Sequence, residues 1–409
     1  MAAERKMTPY QWWAKMGSPK KVVAPMVDHS DLAFRMMTRK YGADLVYTQM
    51  YNANSFTHSR EIREGNFTTC AEDRPLIFQL AGHDPEVMLQ AALMVEDRCD
   101  AVDINLGCPQ GIAKRGRYGA YLMDEVDLLV EIVSTMVAGL KVPVTCKIRV
   151  YDDFDRTIRL CEALVGAGAS MLCVHGRTRE EKGQLVRGTR WDYIERIKSH
   201  FAKRDPPVPI LANGGIENVE DVYRCIAETG VDGVMTSEAI LEDPALFYCP
   251  RSLPPLPLPP AHLLGRAEEF LRLCEQYPVW HMKCVRSHVM KMLYRYICVH
   301  VELREMLGMA CTVPAYLQIC QHVRTLMQQA GRDHDQYSCS WYMRYRQTLE
   351  VNEAGEGVVV QKRMLNTKDR MMDLEGSFLH QISQPAGEDV WGLAADDGEG
   401  VGIFASLFS

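Results

Sequence analysis

Eight short apolar runs rich in β-branched residues recur between residues 22 and 239, and a segment with helical periodicity follows each run. The runs are VVAPMV (22–27), LVYTQM (45–50), LIFQLAG (76–82), AVDINLG (101–107), PVTCKIRV (143–150), MLCVHGRT (171–178), PILANGG (209–215) and GVMTSEA (233–239). Between them, apolar residues recur at spacings of three and four, often with Asp or Asn at the start and Gly at the end. Strand–helix units in this order predict an α/β fold built on a parallel (β/α)8 TIM barrel.

Polar side chains stand near the carboxyl end of nearly every predicted strand. They are Gln79, Asn105, Lys147, Arg149, His175, Arg177 and Asn213. In a barrel, the carboxyl ends of the strands converge on one mouth, where the active sites of this architecture lie. A doubly wound open sheet is the alternative, but it would spread the same side chains along a line. The pattern therefore favours the barrel and predicts a polar site at its mouth.

The composition changes after the last predicted strand, and this change divides the chain into parts. Residues 1–21 form an N-terminal lead-in, 22–250 the barrel, 251–260 a proline-rich linker, 261–330 a small helical domain and 331–409 a tail. The linker sequence RSLPPLPLPP favours an extended, stiff chain. The helical domain has eight Lys and Arg against five Asp and Glu, whereas the whole chain has a net charge of −7. The tail is acidic and ends in a glycine-rich stretch, so we predict that it is largely disordered.

The 14 cysteines are scattered and form no Cys-x-x-Cys pair, so neither a metal site nor a disulfide framework is indicated. The first residues lack the apolar core of a signal peptide, and no segment approaches the ~20 apolar residues that span a bilayer. We therefore expect an intracellular protein of the cytoplasm, the nucleus or both. We expect a monomer that has no obligate protein partner, does not contact a membrane and uses most cysteines as small core residues.

Cys108 differs from the other cysteines because it lies between Gly107 and Pro109, directly after the fourth predicted strand. These neighbours predict a sharp turn that displays the thiol at the barrel mouth, and an inert buried thiol is the alternative. A thiol with a reference pKa of about 8.5 is mostly protonated at neutral pH, so it can donate a proton. A nucleophile would need a base, and no histidine adjoins it in sequence. Lys114 and Arg115, on the basic loop that follows, can meet a phosphate backbone.

Two pairs of basic residues at alternate positions stand on the fifth and sixth predicted strands. Lys147 and Arg149 share one face of the fifth strand, and His175 and Arg177 repeat this spacing on the sixth. A charged strand end in solvent is the alternative, but two pairs at one depth favour a site for an electron-rich ring and a polyanion. The Asn-Gly-Gly sequence at 213–215, after the seventh strand, lets a backbone approach a phosphate closely.

One predicted helix of the helical domain has an apolar stripe and a basic face. The stripe consists of Val285, Val289, Met292 and Tyr296. The basic face consists of Lys283, Lys291 and Arg295. A charged outer face is common on any surface helix, and contact with RNA is the functional alternative.

Seven motifs stand in one order along residues 16–330. They are VVAPMVDHSDLAFR, LIFQLAG, INLGCPQGIAKRGRYGAYL, PVTCKIRV, VHGRTREEKG, ILANGGI and GVMTSEAILEDPALF. In this order they resemble the dihydrouridine synthases, flavoproteins that reduce uridine in transfer RNA. Within that family, IAKRG-x-YGAYL after the cysteine and the pair Ser237-Glu238 resemble the eukaryotic branch that acts on uridines 16 and 17 of the D loop.

The resemblance implies roles for the residues that match. For binding of FMN, it implies Pro25, Met26, Val27, Gln79, Lys147, His175, Asn213, Gly214, Gly215, Ser237 and Glu238. It implies that Asn105 and Arg177 hold the target uridine, that Arg149 contacts the RNA and that Cys108 is the general acid. Many bacterial relatives have Gly-Arg at the position of Ser237-Glu238. Because a carboxylate repels a phosphate, we expect the Glu238 side chain to turn away and the backbone to bind.

The implied reaction uses NADPH, or NADH, as the hydride donor to FMN. The uridine is flipped out of the D loop, receives hydride at C6 and takes a proton from Cys108 at C5. No G-x-G-x-x-G follows a strand, so a separate dinucleotide-binding domain is not expected. The alternatives are a flavin barrel that reduces a free pyrimidine, as dihydroorotate dehydrogenases do, and a non-catalytic RNA-binding relative. The basic loop and the intact Cys108, Lys147 and His175 favour the tRNA enzyme.

Overall fold

Eight parallel strands close into a barrel in chain order, with β8 paired to β1. They are β1 (Lys21–Val23), β2 (Leu45–Asn52), β3 (Leu76–Ala81), β4 (Ala101–Leu106), β5 (Val144–Arg149), β6 (Leu172–His175), β7 (Ile210–Asn213) and β8 (Gly233–Thr236). This computed structural model describes residues 7–249, 263–330 and 340–342, and the backbone of two further strands at 346–351 and 357–362. The predicted (β/α)8 barrel is confirmed.

Helices surround the barrel and continue after it. In and around the barrel they are α1 (Pro9–Lys15), α2 (Leu32–Lys40), α3 (Ala53–His58), α4 (Pro85–Leu93), α5 (Gly111–Arg115), α6 (Val126–Gly139), α7 (Phe154–Gly166), α8 (Trp191–Phe201), α9 (Val219–Thr229) and α10 (Glu238–Glu242). After it come α11 (Leu263–Gln276), α12 (Met282–Met292), α13 (Tyr294–Val299), α14 (Glu302–Met309) and α15 (Val313–Ala330). Within the part of the chain that the structure describes, no helix combines the length and apolarity needed to cross a membrane.

Side-chain caps fix where several of the barrel helices begin. Asp84 accepts a hydrogen bond from the backbone of Val87 at the start of α4, and Asn218 does the same for Asp221 at the start of α9. These bonds satisfy backbone N–H groups that have no partner within the helix. Gly230, with φ of 66°, ends α9 in the left-handed region that glycine adopts without strain. The capping signals in the sequence are thus used as predicted.

The interior of the barrel and its outer layer form two separate apolar clusters. The inner cluster contains Val22, Leu45, Tyr47, Ile77, Ala101, Cys173, Leu211 and Met235, together with Trp12 and Trp13 of α1. The indole of Trp12 donates to the carbonyl of Asp100, just before β4 begins. Helix α1, which the sequence did not predict, therefore closes the end of the barrel opposite the mouth. The 13 cysteines of the described residues are all free and mostly buried, in agreement with their predicted core role.

Five helices occupy residues 263–330, nearly the whole of the range 261–330 that was predicted to be helical, and they pack onto the barrel. Helix α11 contacts α2, and α12 contacts α10. Val285, Val289 and Met292 are fully buried and Tyr296 is 4% exposed, so the predicted apolar stripe is confirmed. The helix is interrupted at Leu293, where α12 ends and α13 begins.

The predicted linker, 251–260, lies outside the described residues, as does most of the predicted tail. Within the tail, however, β9 (Arg346–Val351) and β10 (Gly357–Lys362) form an antiparallel pair. Residues 340–342 also contact the barrel, because the amide of Tyr342 donates to Glu242 over 2.9 Å. The prediction that the tail as a whole is largely disordered stays a prediction, because most of it lies outside the described residues.

A buried ion pair holds the loop after β1, which carries three predicted cofactor contacts. The guanidinium of Arg35 donates to Asp73 through Nη2 over 2.7 Å and through Nε over 3.0 Å. Its Nη1 donates to the carbonyl of Ser30 over 2.5 Å, and its Nη2 also donates to the carbonyl of Thr68 over 2.7 Å. Arg35 is 3% exposed and Asp73 is fully buried. Arg35 thus joins α2, the β1 loop and the segment before β3.

We expect Asp73→Asn to lower the free energy of unfolding of the barrel by about 3 kcal/mol, because it leaves a buried guanidinium without its counter-ion. Urea unfolding followed by circular dichroism measures this change. Glu64→Gln is the matched control, since Glu64 pairs with Arg60 at an exposed site where ion pairs contribute little. Equal unfolding curves for Asp73→Asn and the control would contradict the assignment.

Candidate active site

A cavity of about 250 Å³ lies at the carboxyl ends of the strands, and every strand or the loop after it contributes to its wall. Fourteen predicted site residues line it: Pro25, Val27, Gln79, Asn105, Cys108, Lys147, Arg149, His175, Arg177, Asn213, Gly214, Gly215, Ser237 and Glu238. Ala24, Met50, Gly107, Ile216, Met235, Thr236 and Tyr342 complete the wall. The barrel therefore brings most of the predicted residues to one place.

The strand register explains why these side chains meet. Asn105 pairs with Lys147, Arg149 with His175, and His175 with Asn213. Residues at alternate positions on a strand point to the same side, so pairs at one level of the barrel turn together towards the mouth. β6 ends at His175, so Arg177 lies just after the strand rather than on it as predicted.

A chain of hydrogen bonds runs beneath the cavity from β5 to the loop of Cys108. The Thr145 hydroxyl donates to Asp103 Oδ1 over 2.6 Å, and Gln79 Nε2 donates to Asp103 Oδ2 over 2.8 Å. Asn105 Nδ2 donates to Gln79 Oε1 over 2.8 Å. Asn105 Oδ1 accepts from the amides of Gly107 and Cys108, over 3.1 and 2.9 Å. The bonds all have a defined direction, with an acceptor at Asp103 and backbone donors at the other end.

Asp103 is a residue of this chain that sequence reasoning missed. It is fully buried, and burial raises its pKa to about 6, while hydrogen bonds from Gln79 and Thr145 and the charge of Lys147 oppose that rise. The carboxyl group is thus mainly ionised at neutral pH and acts only as an acceptor. Its position two residues before Asn105, on the same face of β4, is the signal that could have revealed it.

The loop after β4 presents Cys108 at the cavity wall. Arg149 Nε donates to the carbonyl of Gly107 over 2.8 Å, and the amide of Ala120 donates to the carbonyl of Cys108 over 3.0 Å. Gly119 has φ of 67°, and a Cβ atom there would lie 2.7 Å from the carbonyl oxygen of Cys108. Burial raises the pKa of the Cys108 thiol. The thiol is therefore protonated at neutral pH, as a proton donor requires.

Lys147 and His175 are two half-buried basic residues of the cavity wall. Burial lowers the pKa of Lys147, and it lowers the pKa of His175 well below its usual range with help from Arg149 and Arg177. His175 is therefore neutral. Among the described residues, the Lys147 amine has no hydrogen-bond partner, although it faces the cavity. An amine that faces a cavity without a partner has the chemistry needed to meet an electron-rich ligand atom.

The turn after β7 leaves room for a ligand to approach its backbone. Gly214 and Gly215 have φ of 98° and 77°. A Cβ atom on Gly214 would lie 2.9 Å from both the His175 ring and the Thr189 hydroxyl. The Thr189 Oγ1 atom is buried and lacks a partner among the described residues. The turn is part of the cavity wall, and a backbone turn that only glycine can form fits the phosphate of a mononucleotide.

Glu238, expected to turn away, is a residue of the cavity wall at the start of α10. Its charge acts on the pKa of two neighbouring cations. Burial lowers the pKa of Arg149 to about 10 and that of Lys291 to about 7, and Glu238 opposes the fall in both. The negative charge of Glu238 is therefore balanced by cations on two sides.

Six predicted residues lie outside the cavity wall. Met26 is half-buried beneath it and its amide donates to Ser30 Oγ, while Lys114 and Arg115 are exposed at the end of α5. Lys283 lies 3.8 Å from Asp28. Arg295 lies 3.8 Å from Glu242, and Lys291 is discussed next.

The prediction that Lys291 lies on an outer basic face is wrong. Lys291 is 4% exposed, and its amine lies 2.7 Å from Ser287 Oγ and 2.8 Å from His29 Nε2. Ser287 and Lys291 are four residues apart, so they share one face of α12, and this face is covered by the loop after β1. Because α12 is packed on several sides, helical spacing alone does not separate its outer residues from its buried ones.

Comparison with known proteins assigns the chain to a family. A family model described as dihydrouridine synthase matches residues 22–329. The chain belongs to the dihydrouridine synthase family. A Mus musculus protein named tRNA-dihydrouridine(16/17) synthase [NAD(P)(+)]-like is 40% identical over 385 residues, which are 90% of this chain and 77% of the mouse protein. The Saccharomyces cerevisiae tRNA-dihydrouridine(16/17) synthase is 39% identical over 312 residues, 75% of this chain and 73% of the yeast protein.

Membership of this oxidoreductase family identifies the cavity as the candidate active site. The matched range begins at β1 and ends within α15, so it includes the cavity residues from the barrel and all five helices after it. Tyr342 lies beyond the match. The dihydrouridine synthase motifs recognised in the sequence are those at the carboxyl ends of β1 and of β3 to β8, where the cavity lies.

We expect Asp103→Asn to lower dihydrouridine formation by about 100-fold, a loss that small misplacements of reacting groups produce. The new amide has one acceptor oxygen, so it cannot accept from Thr145 and Gln79 as the carboxylate does, and the direction of the chain to Cys108 is lost. Thr145→Val is the control, because it removes one donor and leaves Gln79 bound. Steady-state turnover and circular dichroism measure the two variants. A folded Asp103→Asn variant as active as Thr145→Val would contradict this role.

Proposed function

We propose that this protein reduces uridine to 5,6-dihydrouridine at positions 16 and 17 in the D loop of tRNA, with bound FMN and with NADPH as the reductant. Relatives named for this activity support the substrate and the positions. The observation that carries the proposal is a protonated thiol, Cys108, in the wall of a cavity that also holds Lys147, His175 and the turn at Gly214.

The residues of the cavity fit FMN. The unpaired amine of Lys147 suits the edge of a flavin ring that gains negative charge on reduction, and the turn at 213–215 suits its phosphate. When bound, FMN would supply the hydride for C6 of the uracil ring. Gln79, held between Asp103 and Asn105, would orient the ring by hydrogen bonds from its amide.

The proton for C5 would come from Cys108. Burial keeps the thiol protonated before the reaction. Once the proton has left, Arg149, Lys147 and Lys182 stabilise the thiolate, because their charges favour the ionised form. Arg149 also fixes the position of the loop through the carbonyl of Gly107. These contacts support a role for Arg149 in positioning and stabilising the acid, and its contact with the RNA, implied by the resemblance, stays a prediction.

The remaining contacts in the proposal involve the substrate. Asn105 and Arg177 would hold the uridine after it leaves the stacked D loop. Lys114 and Arg115, exposed on α5 beside the mouth, would meet phosphates. Lys283 and Arg295 would add to this surface from the helical part of the chain, whereas the buried Lys291 would not.

We expect Cys108→Ala to retain FMN and its reduction by NADPH and to lower dihydrouridine formation by at least about 100-fold, the range expected for loss of a general acid. Flavin absorbance, anaerobic flavin reduction and mass spectrometry of tRNA nucleosides measure the three steps. Cys70→Ala is the matched control, since Cys70 is also a half-buried thiol. Undiminished product from Cys108→Ala would refute the acid role, and activity on free uridine equal to that on tRNA would refute the substrate.

We expect the double change Lys114→Glu and Arg115→Glu to weaken tRNA binding by about ten-fold or more and to reduce its salt dependence, because phosphate contacts release counter-ions. Titrations at several salt concentrations measure both effects. Lys203→Glu with Arg204→Glu is the matched control, since these exposed cations follow α8 at the opposite end of the barrel. If both double variants lose the same affinity, α5 is not the binding surface.

A further inference from the structure

One residue of the cavity wall comes from far beyond the barrel. All the others lie between Ala24 and Glu238, but Tyr342 follows the last helix by more than ten residues. The floor of the cavity is made by the strands, so Tyr342 reaches it over the rim. Its side chain is half-buried there.

Glu242, the last residue of α10, anchors this segment. Its Oε2 accepts from the Ser340 hydroxyl over 2.6 Å and from the amide of Tyr342 over 2.9 Å. Its Oε1 lies 3.8 Å from Arg295 Nη2, and Glu242 is only 7% exposed. A buried carboxylate that accepts two hydrogen bonds fixes the direction of the backbone at Tyr342.

Trp341 gives the segment a second attachment. The amine of Lys291 lies 5.1 Å from the centre of the Trp341 ring, within the range of a cation–π contact. The same amine bonds to Ser287 on α12. Ser340 and Trp341, the two residues before Tyr342, are thus held by α10 and α12, and Tyr342 lines the cavity.

We infer that Ser340, Trp341 and Tyr342 form a strap that completes the substrate side of the active site, with the Tyr342 ring as a stacking surface for the target pyrimidine. This inference rests on the proposed function. Aromatic rings stack on nucleobases extruded from RNA, and such stacking does not depend on base-specific hydrogen bonds.

Tyr342 comes from outside the barrel, and this direction favours a contact with the substrate over a contact with the cofactor. The groups that fit FMN, such as Lys147 and the turn at Gly214, belong to strand ends at the floor and sides of the cavity. A planar cofactor held by these groups would leave one face towards the mouth. A nucleotide that enters through the mouth would meet that face, and Tyr342 is the residue of the described cavity wall that comes from outside the barrel.

We expect Tyr342→Ala, in the full-length FMN-loaded protein, to raise KM for tRNA by about five- to 100-fold, the effect of losing one base–aromatic stack. FMN content and the rate of flavin reduction by NADPH stay unchanged. Tyr342→Phe keeps the ring and is expected to behave like the wild type. Tyr223→Ala, which removes an exposed tyrosine of α9, is the matched control.

The anchor has its own test. Glu242→Ala releases Ser340 and Tyr342 together and is expected to raise KM as Tyr342→Ala does. The double variant of Glu242→Ala and Tyr342→Ala should then raise KM no further than either single variant, because both changes remove the same interaction. Additive increases in KM would show that Glu242 acts independently of the strap and would overturn its role as the anchor of the strap.

The outcomes separate this inference from the proposed function. If the wild type forms no dihydrouridine in tRNA, the proposed function is wrong. If the wild type is active and Tyr342→Ala has an unchanged KM, the strap has no role in substrate binding. If Tyr342→Ala loses FMN and recovers wild-type kinetics at saturating FMN, the ring serves the cofactor and the inference is overturned. If Tyr342→Phe raises KM as much as Tyr342→Ala does, the hydroxyl rather than the ring binds the substrate, and stacking is refuted.

Discussion

The directional hydrogen bonds between Asp103 and the loop of Cys108 are the constraint on which the site depends. Amide side chains such as Gln79 and Asn105 can each be turned in two ways, and their own sequence does not choose between them. A buried carboxylate that can only accept, and backbone amides that can only donate, select one arrangement. The barrel therefore determines the orientation of the cofactor-facing amide and the position of the thiol through the same set of bonds.

The sequence predicted the barrel well because strand and helix periods are local properties. The strands begin within about one residue of the predicted runs, but several end earlier, as β6 does at His175 and β7 at Asn213. The residues beyond these ends have the left-handed or irregular backbone that a site requires. An apolar run predicts which residues of a strand are buried, but it does not predict at which residue the strand ends and the loop at the barrel mouth begins.

The features that the sequence could not predict involve residues distant along the chain. Lys291 has the spacing of an outer residue, yet it is covered by the loop that contains His29. The role of Asp103 as a hydrogen-bond acceptor depends on Gln79 of the neighbouring strand, which lies beside it only in the folded barrel. Trp12, Trp13 and Tyr342 reach the barrel from outside its repeating units, so the strand–helix pattern has nothing to say about them.

Helix α1 has a consequence for the order of events at the site. Its two indoles and the apolar side chains of the barrel interior fill the end opposite the mouth, and the cavity lies at the carboxyl ends of the strands. A molecule that donates a hydride and a molecule that receives it would have to use the same entrance. They would then occupy the protein in turn, and each would be a competitor of the other. Under the proposed function, the filled far end of the barrel thus favours an alternating, ping-pong cycle over a complex in which the reductant and the tRNA are bound together.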